Sequence, residues 1–489
     1  MIARSRTSAA QSKLGRGRLG PIPLSGLLLA ALTPFVVFIG VIPVAYHATG
    51  LKAVPLAFLI GGAVLAVFLL AYLTMAKHVN EPGAFFSYIS LGLGRPVGVA
   101  AAVVAVWAYC ELQTGLYGLA GAASAQMAAG GVLGGVPWVG WALLGWAIVT
   151  ILGVLRVDIG AWVLAPLVAL EMVTIVALSL KGLAHPAGGH LSLAAFNPRL
   201  LLVGGAVAAF GVVVLGFVGV EQAATYSTRV KNGRATMLGA SLGVLVLAGI
   251  VYVLGSWAPQ VFYGDNLPAA TADPDVMFTM GGHGMLVSFA RVQLLISLGA
   301  AMLSFHNATV QYLYGLGTQR VLAAGLARTN RFDAPWVASA TQSGIALGVI
   351  AVVAVAGWNP VVQMFYGLGN AGGLGVLMLL TVTSVAVWRF FHRDPNGESR
   401  WSRSIAPVLA ALGLGTMVVL VVTNYATLLN VSPDSVQAWA WPASLAVPVL
   451  LGLLRAAYLR ALRGDVYAAM AHYRPTHNPY TPRVPEGVH

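Results

Sequence analysis

Long stretches without a single charge dominate this chain. Residues 19–51, 53–76, 112–155, 200–220, 235–264, 292–319, 334–388, 404–433 and 435–454 contain no Lys, Arg, Asp or Glu. A helix needs about 20 predominantly apolar residues to cross the hydrocarbon core of a bilayer, and within that core every backbone N–H and C=O must find its partner inside the protein. Runs of this length are therefore read as membrane helices. Composition agrees, with 58% hydrophobic and 8% charged residues against roughly 25% charged in soluble domains. A disordered chain, a zinc module and a disulfide scaffold are excluded, the last because the single cysteine, Cys110, has no partner within the chain.

Runs too long for one crossing divide at turn chemistry, at Gly134 to Pro137 and at Gly357 to Pro360. The result is an all-α polytopic membrane protein with 12 transmembrane helices. The predicted spans are 24–46, 53–76, 96–128, 136–155, 160–181, 200–224, 236–258, 285–318, 335–356, 361–389, 403–429 and 438–460.

The net charge of +13 belongs to topology and does not mark a nucleic-acid reader. On this map only Lys52, Lys181, Arg199 and Arg291 fall on or toward one side, and the other basic residues lie on the opposite side. By the positive-inside rule the basic side is cytoplasmic and both termini are inside. The connection between spans 7 and 8 carries Asp265, Asp273 and Asp275 without a Lys or Arg, as suits an external face. Residues 1–20 then form a basic cytoplasmic tail, 21–460 the membrane domain and 461–489 a second cytoplasmic tail. Arg4, Arg6, Lys13, Arg16 and Arg18 in the first tail suit either anionic headgroups or plain solvation. The bilayer is the expected partner, in a plasma (inner) membrane.

Two spans carry helix-breaking residues at corresponding places, five spans apart. Span 1 reads ALTPFVVFIGVIP, with Pro34 and Gly40; span 6 reads AFGVVVLGFVGVEQ, with Gly211, Gly216 and Gly219. Paired interruptions of this kind free backbone groups to meet a ligand near the membrane midplane. At either span by itself, ordinary small-residue packing accounts for the same residues.

Three carboxylates lie in or at the edge of spans, namely Glu111, Glu171 and Glu221. A charge at the bilayer centre costs at least about 2.5 to 3.5 kcal/mol, so each is neutral, paired or functional. Burial favours the neutral form and makes such a group a candidate proton carrier; the alternative is a protonated glutamate bonded to a neighbouring helix. His306 suits packing between helices or a proton relay. The GxGxxG spelled by Gly367, Gly369 and Gly372 has no preceding strand, so a dinucleotide site fails and close helix packing is expected instead. The sequence contains no Walker A motif, no metal-ligand cluster and no grouping of nucleophile, base and oxyanion donor, so neither an ATP-driven pump nor an enzyme is indicated.

Three segments resemble the amino acid, polyamine and organocation transporter family: NEPGAFFSYISLGLGRPVG (80–98), similar to its loop into span 3; FVGVEQAATYSTRVKN (217–232), similar to its span 6 signature; and SFHNATVQYLYGLGTQRVL (304–322), similar to its span 8 and following loop. The resemblance implies a leucine-transporter-type fold with two inverted repeats of five helices, about 24–181 and about 200–389, and two further helices, about 403–460. It implies a proton- or sodium-linked, or exchange-type, carrier of amino acids or amines, and the expectation taken from it is a secondary-active permease for a small amino acid or amine, coupled to protons and without a cofactor. Under the same resemblance the site falls on Phe35, Val36, Val37, Phe38, Ile39 and Gly40 of span 1 and Leu215, Gly216, Phe217, Val218 and Gly219 of span 6. Tyr109 and Gln113 of span 3 flank it, and Phe305 of span 8 is the aromatic lid. Glu171 aligns where some sodium-independent relatives place a lysine, and Val36 to Phe38 stand where the family has small residues. A lining this apolar, with Gln113 as its one neutral polar side chain, favours a neutral apolar or aromatic amino acid, or a related monoamine, because an unpaired buried charge costs several kcal/mol. The rival readings are a same-fold carrier of another organic cation or a nucleobase, and a transport-derived ligand sensor.

Overall fold

The computed structural model describes residues 19–470 apart from 51, 80–83, 156, 203–205, 227–229, 232, 272, 274, 283 and 430. The basic stretch 1–18, Asn80 to Gly83 at the head of the first motif, Arg229 and Asn232 after span 6, and residues 471–489 lie outside the described residues.

Among the described residues regular structure is helical, with one isolated bridge between Leu19 and Val230. Ten of these helices are long and apolar enough to cross a membrane: Pro21–His47, Val54–Met75, Arg95–Ala128, Ala161–Leu183, Ala235–Ala270, Met285–Thr318, Trp336–Val355, Pro360–Arg393, Trp401–Thr423 and Val436–Leu462. They fall on predicted spans 1, 2, 3, 5 and 7 to 12, and keep those numbers below. Two shorter apolar helices, Trp138–Gly153 and Val212–Tyr226, lie where spans 4 and 6 were expected. The stretch 80–98, read from sequence as a loop, instead holds the helix Ala84–Leu93. Its Gly92 lets it lie against span 10, where a Cβ would stand 2.3 Å from the Ala386 carbonyl oxygen.

Small residues set how closely the helices approach. A Cβ on Gly26 of span 1 would stand 2.7 Å from Ala165 of span 5, and one on Gly372 of span 10 would stand 2.6 Å from the Ala108 carbonyl oxygen of span 3. Where burial of apolar side chains drives little association, this backbone proximity supplies the packing. Gly372 thus serves packing, as the sequence suggested. Span 3 lies at the centre, against spans 4, 8, 10 and 12. Large apolar side chains such as Ile151, Trp162, Val352, Leu412 and Leu454 are exposed on the periphery, on faces suited to lipid.

Spans 1 and 6 are interrupted, each for a local reason. Span 1 is helical over Pro21–Leu32, takes left-handed backbone at Thr33 (φ 48°, ψ 54°) and resumes at Pro34. Proline offers no N–H and its ring clashes with the preceding turn, so the first helix stops before it. The chain then runs through a π-helical stretch, Val37–Val41, into Ile42–Thr49. The interruption is therefore confined to Thr33, and Phe35 to Gly40, expected as its span, are helical. In span 6 the helix Ala206–Leu215 gives way to turns over 216–219 and then to a 3₁₀ stretch, Val220–Tyr226. Gly219 there has φ +127°. Gly211 lies inside the helix and takes no part in the interruption.

The two ends of the bundle are held differently. On the side of the basic loops, the Lys231 N–H donates to the Leu19 carbonyl at 2.8 Å, and Lys77 and His78 meet Glu398 at 2.6 and 3.1 Å. Burial opposes charge on Glu398, but the hydrogen bonds from Lys77 and His78 outweigh it and hold the carboxyl below its ordinary range. On the other side, the connection between spans 7 and 8 carries a short helix, Val276–Met280. It is tied down by Arg291, which pairs with Asp275 at 2.7 Å and lies over the Phe278 ring at 4.8 Å.

Candidate functional site

Where the interruptions of spans 1 and 6 face spans 3, 8 and 10, a central cavity of about 90 Å³ lies between them. Its walls are Thr33, Val36, Val37 and Val41 of span 1, Leu112 and Leu116 of span 3, Leu215, Gly216 and Val218 of span 6, Phe305 of span 8, and Phe365, Gly369 and Asn370 of span 10, with Ala31 and Gly373. None of these side chains is ionisable, and Thr33 and Asn370 are the polar ones. A β-branched residue in left-handed backbone is strained, and such strain gathers at functional sites; Thr33 is that residue here. A second, wider cavity of about 910 Å³ lies beyond it, lined by Ile39 and Gly40 of span 1 among others and by Asp273, Asp275 and Arg291 of the spans 7 and 8 region.

The expected site residues divide into two groups. Val36, Val37, Leu215, Gly216, Val218 and Phe305 border the central cavity, and Gly40 borders the outer one. Phe35, Phe38, Phe217, Gly219, Tyr109 and Gln113 border neither. Phe35 packs against Phe38 and Phe278 at 6.1 and 6.4 Å between ring centres, and Phe38 also fills the space left by Gly255 of span 7. Phe217 turns to Phe58 and Tyr252 at 5.9 and 5.2 Å. A Cβ on Gly219 would stand 2.8 Å from the Ala31 backbone, so this glycine serves close packing and a positive φ.

Gln113 is committed elsewhere. Its amide N–H groups donate to the Tyr117 hydroxyl at 3.0 Å and to His306 Nδ1 at 3.3 Å, and its Oε1 accepts from Gln342 at 2.6 Å. Because Nδ1 accepts, His306 Nε2 carries the proton and donates to Ser339 Oγ at 2.9 Å. His306 is thus a satisfied residue between spans 3, 8 and 9. Span 3 turns Leu112 and Leu116 to the cavity, one turn apart on a single face. Asn370 belongs to the glycine-rich stretch that the sequence suggested was packing alone, and nothing in the sequence set Leu112, Leu116 or Phe365 apart.

The three buried carboxylates occupy distinct settings. Glu171 is 1% exposed, and its Oε1 accepts from the Phe35 backbone N–H and from Ser297 Oγ, the latter at 2.8 Å. The N–H groups at a helix start have no partner in their own helix, and the restart at Pro34 leaves that of Phe35 to be satisfied from span 5. Glu171 therefore joins spans 1, 5 and 8 beside the cavity. Glu221 accepts from the Gly219 N–H at 2.8 Å and from the Tyr109 hydroxyl at 2.9 Å, which ties span 6 to span 3. Glu111 accepts from Trp107 Nε1 at 2.8 Å, and its Oε2 has no hydrogen-bond partner. It does not line the cavity, to which span 3 presents Leu112 and Leu116 instead.

A helical bundle with interruptions in two spans, a small cavity between them and buried carboxylates bracing it defines a class of polytopic membrane protein. The chain belongs to the amino acid permease family, which residues 24–451 match. It is 23% identical over 257 residues to the branched-chain amino acid permease BcaP of Lactococcus lactis subsp. cremoris (strain MG1363). That match covers 50% of this chain and 52% of the permease, so it spans about half the length of that relative. In fold the chain resembles MhsT, solved in complex with L-phenylalanine, with a TM-score of 0.54 and 16% identity over 80% of this chain and 98% of that one. It also resembles a Na⁺-coupled sialic acid symporter in its substrate-bound outward-open state, with a TM-score of 0.51 and 10% identity over 83% and 90% of the two chains.

Proposed function

We propose that this protein is a secondary-active permease of the plasma membrane that carries a small neutral amino acid, or a monoamine related to one, coupled to protons. The observation that carries the reading is the central cavity, which lies at the interruptions of spans 1 and 6, has no ionisable side chain in its lining, and is flanked by Glu171 on the amide of Phe35. An apolar lining favours apolar or aromatic side chains and penalises a second charge on the ligand. Val36, Val37, Leu215, Gly216, Val218 and Phe305 are the contacts proposed for the substrate, now joined by Leu112, Leu116 and Asn370.

Alternating access would move the interrupted helices of the two repeats against the rest of the bundle. Glu171 is the proposed proton carrier, because gain or loss of its proton changes what it offers to the Phe35 N–H and Ser297, and so couples charge to the position of span 1. Glu221, held by Gly219 and Tyr109, is the proposed closing contact on the basic, cytoplasmic side.

The test is uptake of labelled L-leucine and L-phenylalanine into proteoliposomes with and without a pH gradient. Accumulation driven by the gradient, competed better by these two than by arginine or putrescine, supports the reading. Binding without translocation identifies a sensor, and stronger competition by arginine or putrescine overturns the apolar site.

A further inference from the structure

The two cavities raise a problem of size. At a share of about 30 Å³ per water, the central cavity of about 90 Å³ holds three waters or so, which is too little for a whole amino acid. Ligand sites run to roughly 300–1,000 Å³, a range the outer cavity of about 910 Å³ meets. The linings of the two have two residues in common, Val36 and Phe365, so these form the partition between them.

The two halves of the partition are anchored unequally. Val36 follows Phe35, whose amide is held by Glu171 and whose ring packs on Phe278. Phe365 is half-buried and packs edge-on against Tyr366, itself a wall of the outer cavity. It stands in a π-helical stretch, Pro360–Leu368, whose start is capped by the Asn359 side chain. Such stretches are rare, short and frequent at functional sites, and a return to α-helical register by one residue would carry the side chain round by about 100°. One turn further, Gly369 leaves open space where a Cβ would stand.

Building on the site assigned above, we infer that Phe365 is a movable divider. The entering substrate displaces its ring, joins the two cavities into one site, and is selected for side-chain size by the room that the ring gives up.

The single cysteine makes a test possible that needs no knowledge of the substrate. In a Cys110→Ser background, Val37→Cys, with Leu116→Cys as a second reporter, places a thiol in the central cavity. Its modification by a small and by a bulky methanethiosulfonate reagent is then timed in detergent-purified full-length protein. Phe365→Ala should speed the bulky reagent several-fold, Phe365→Trp should slow it, and the small reagent should respond less. Equal rates in all three proteins, or acceleration by both substitutions, would overturn the divider. Protection of the thiol by L-alanine against L-tryptophan gives the size preference, which should move toward tryptophan in Phe365→Ala. If no amino acid protects while Phe365 still governs modification, the substrate reading falls and the divider stands.

Discussion

Glu171 and the glycines of span 6 carry the residue-scale consequences. Both hydrogen bonds to Glu171 are donated by its neighbours, and an amide oxygen can accept them as a carboxylate does, whereas an amide does not cycle a proton. Glu171→Gln should therefore bind substrate and lose accumulation driven by a pH gradient, as uptake with and without the gradient would show; undiminished accumulation would move the coupling role to Glu221. Gly216 and Gly219 should separate. A Cβ on Gly216 meets Val37 at 3.2 Å on the cavity wall, so Gly216→Leu should fill the site and abolish ligand binding in a protein that still inserts. Gly219→Ala meets the backbone of Ala31 and a φ of +127° and should cost about 1–3 kcal/mol of stability, measured as a lowered Tm.

At the scale of elements, interruption and capping decide where helices start. Thr33 is held in left-handed backbone because Pro34 restarts the helix immediately after it. Thr33→Gly should relieve up to about 1–2 kcal/mol of strain and raise Tm, while looser positioning of span 1 should weaken ligand binding. A different contact joins the end of span 2 to the connection between spans 10 and 11, through Lys77, His78 and Glu398. The carboxyl of Glu398 is held below its ordinary range, so its stabilisation is full above the unfolded value and fades as pH falls through the folded one. Glu398→Gln should lower Tm near neutral pH, by an amount equivalent to at most about 1 kcal/mol. The difference from wild type should vanish in strong acid.

For the whole molecule, orientation follows from charge. Reporter fusions at 229–234 and 393–403 should be cytoplasmic and one within 265–275 external, since basic loops are retained on the inside. An external reading from either basic loop would reverse the direction in which the outer cavity opens. The contacts of Glu398 with Lys77 and His78 and of Lys231 with Leu19 hold the side of the basic loops together, and the wide cavity lies toward Asp273 and Asp275 in the connection between spans 7 and 8.

Length and polarity of each run placed the spans, because the cost of exposing backbone or charge to lipid is large and local. Pro34 marked the interruption of span 1 and Gly216 and Gly219 that of span 6, because their effects on the backbone act within one turn. The motifs brought the family into view. Rotation of the helices about their own axes was not legible. On spans that are apolar all round, a side chain facing the cavity, a neighbouring helix or lipid is drawn from the same residues, so periodicity carries little phase. Tyr109 and Gln113, which the resemblance sets beside the site, bond Glu221 and His306, while Leu112 and Leu116 take the cavity face. That choice, the burial of Phe35 and Phe217 against other rings, and the standing of Phe365 between two cavities were decided by tertiary packing, in which close backbone approaches and buried hydrogen bonds fix each helix's rotation.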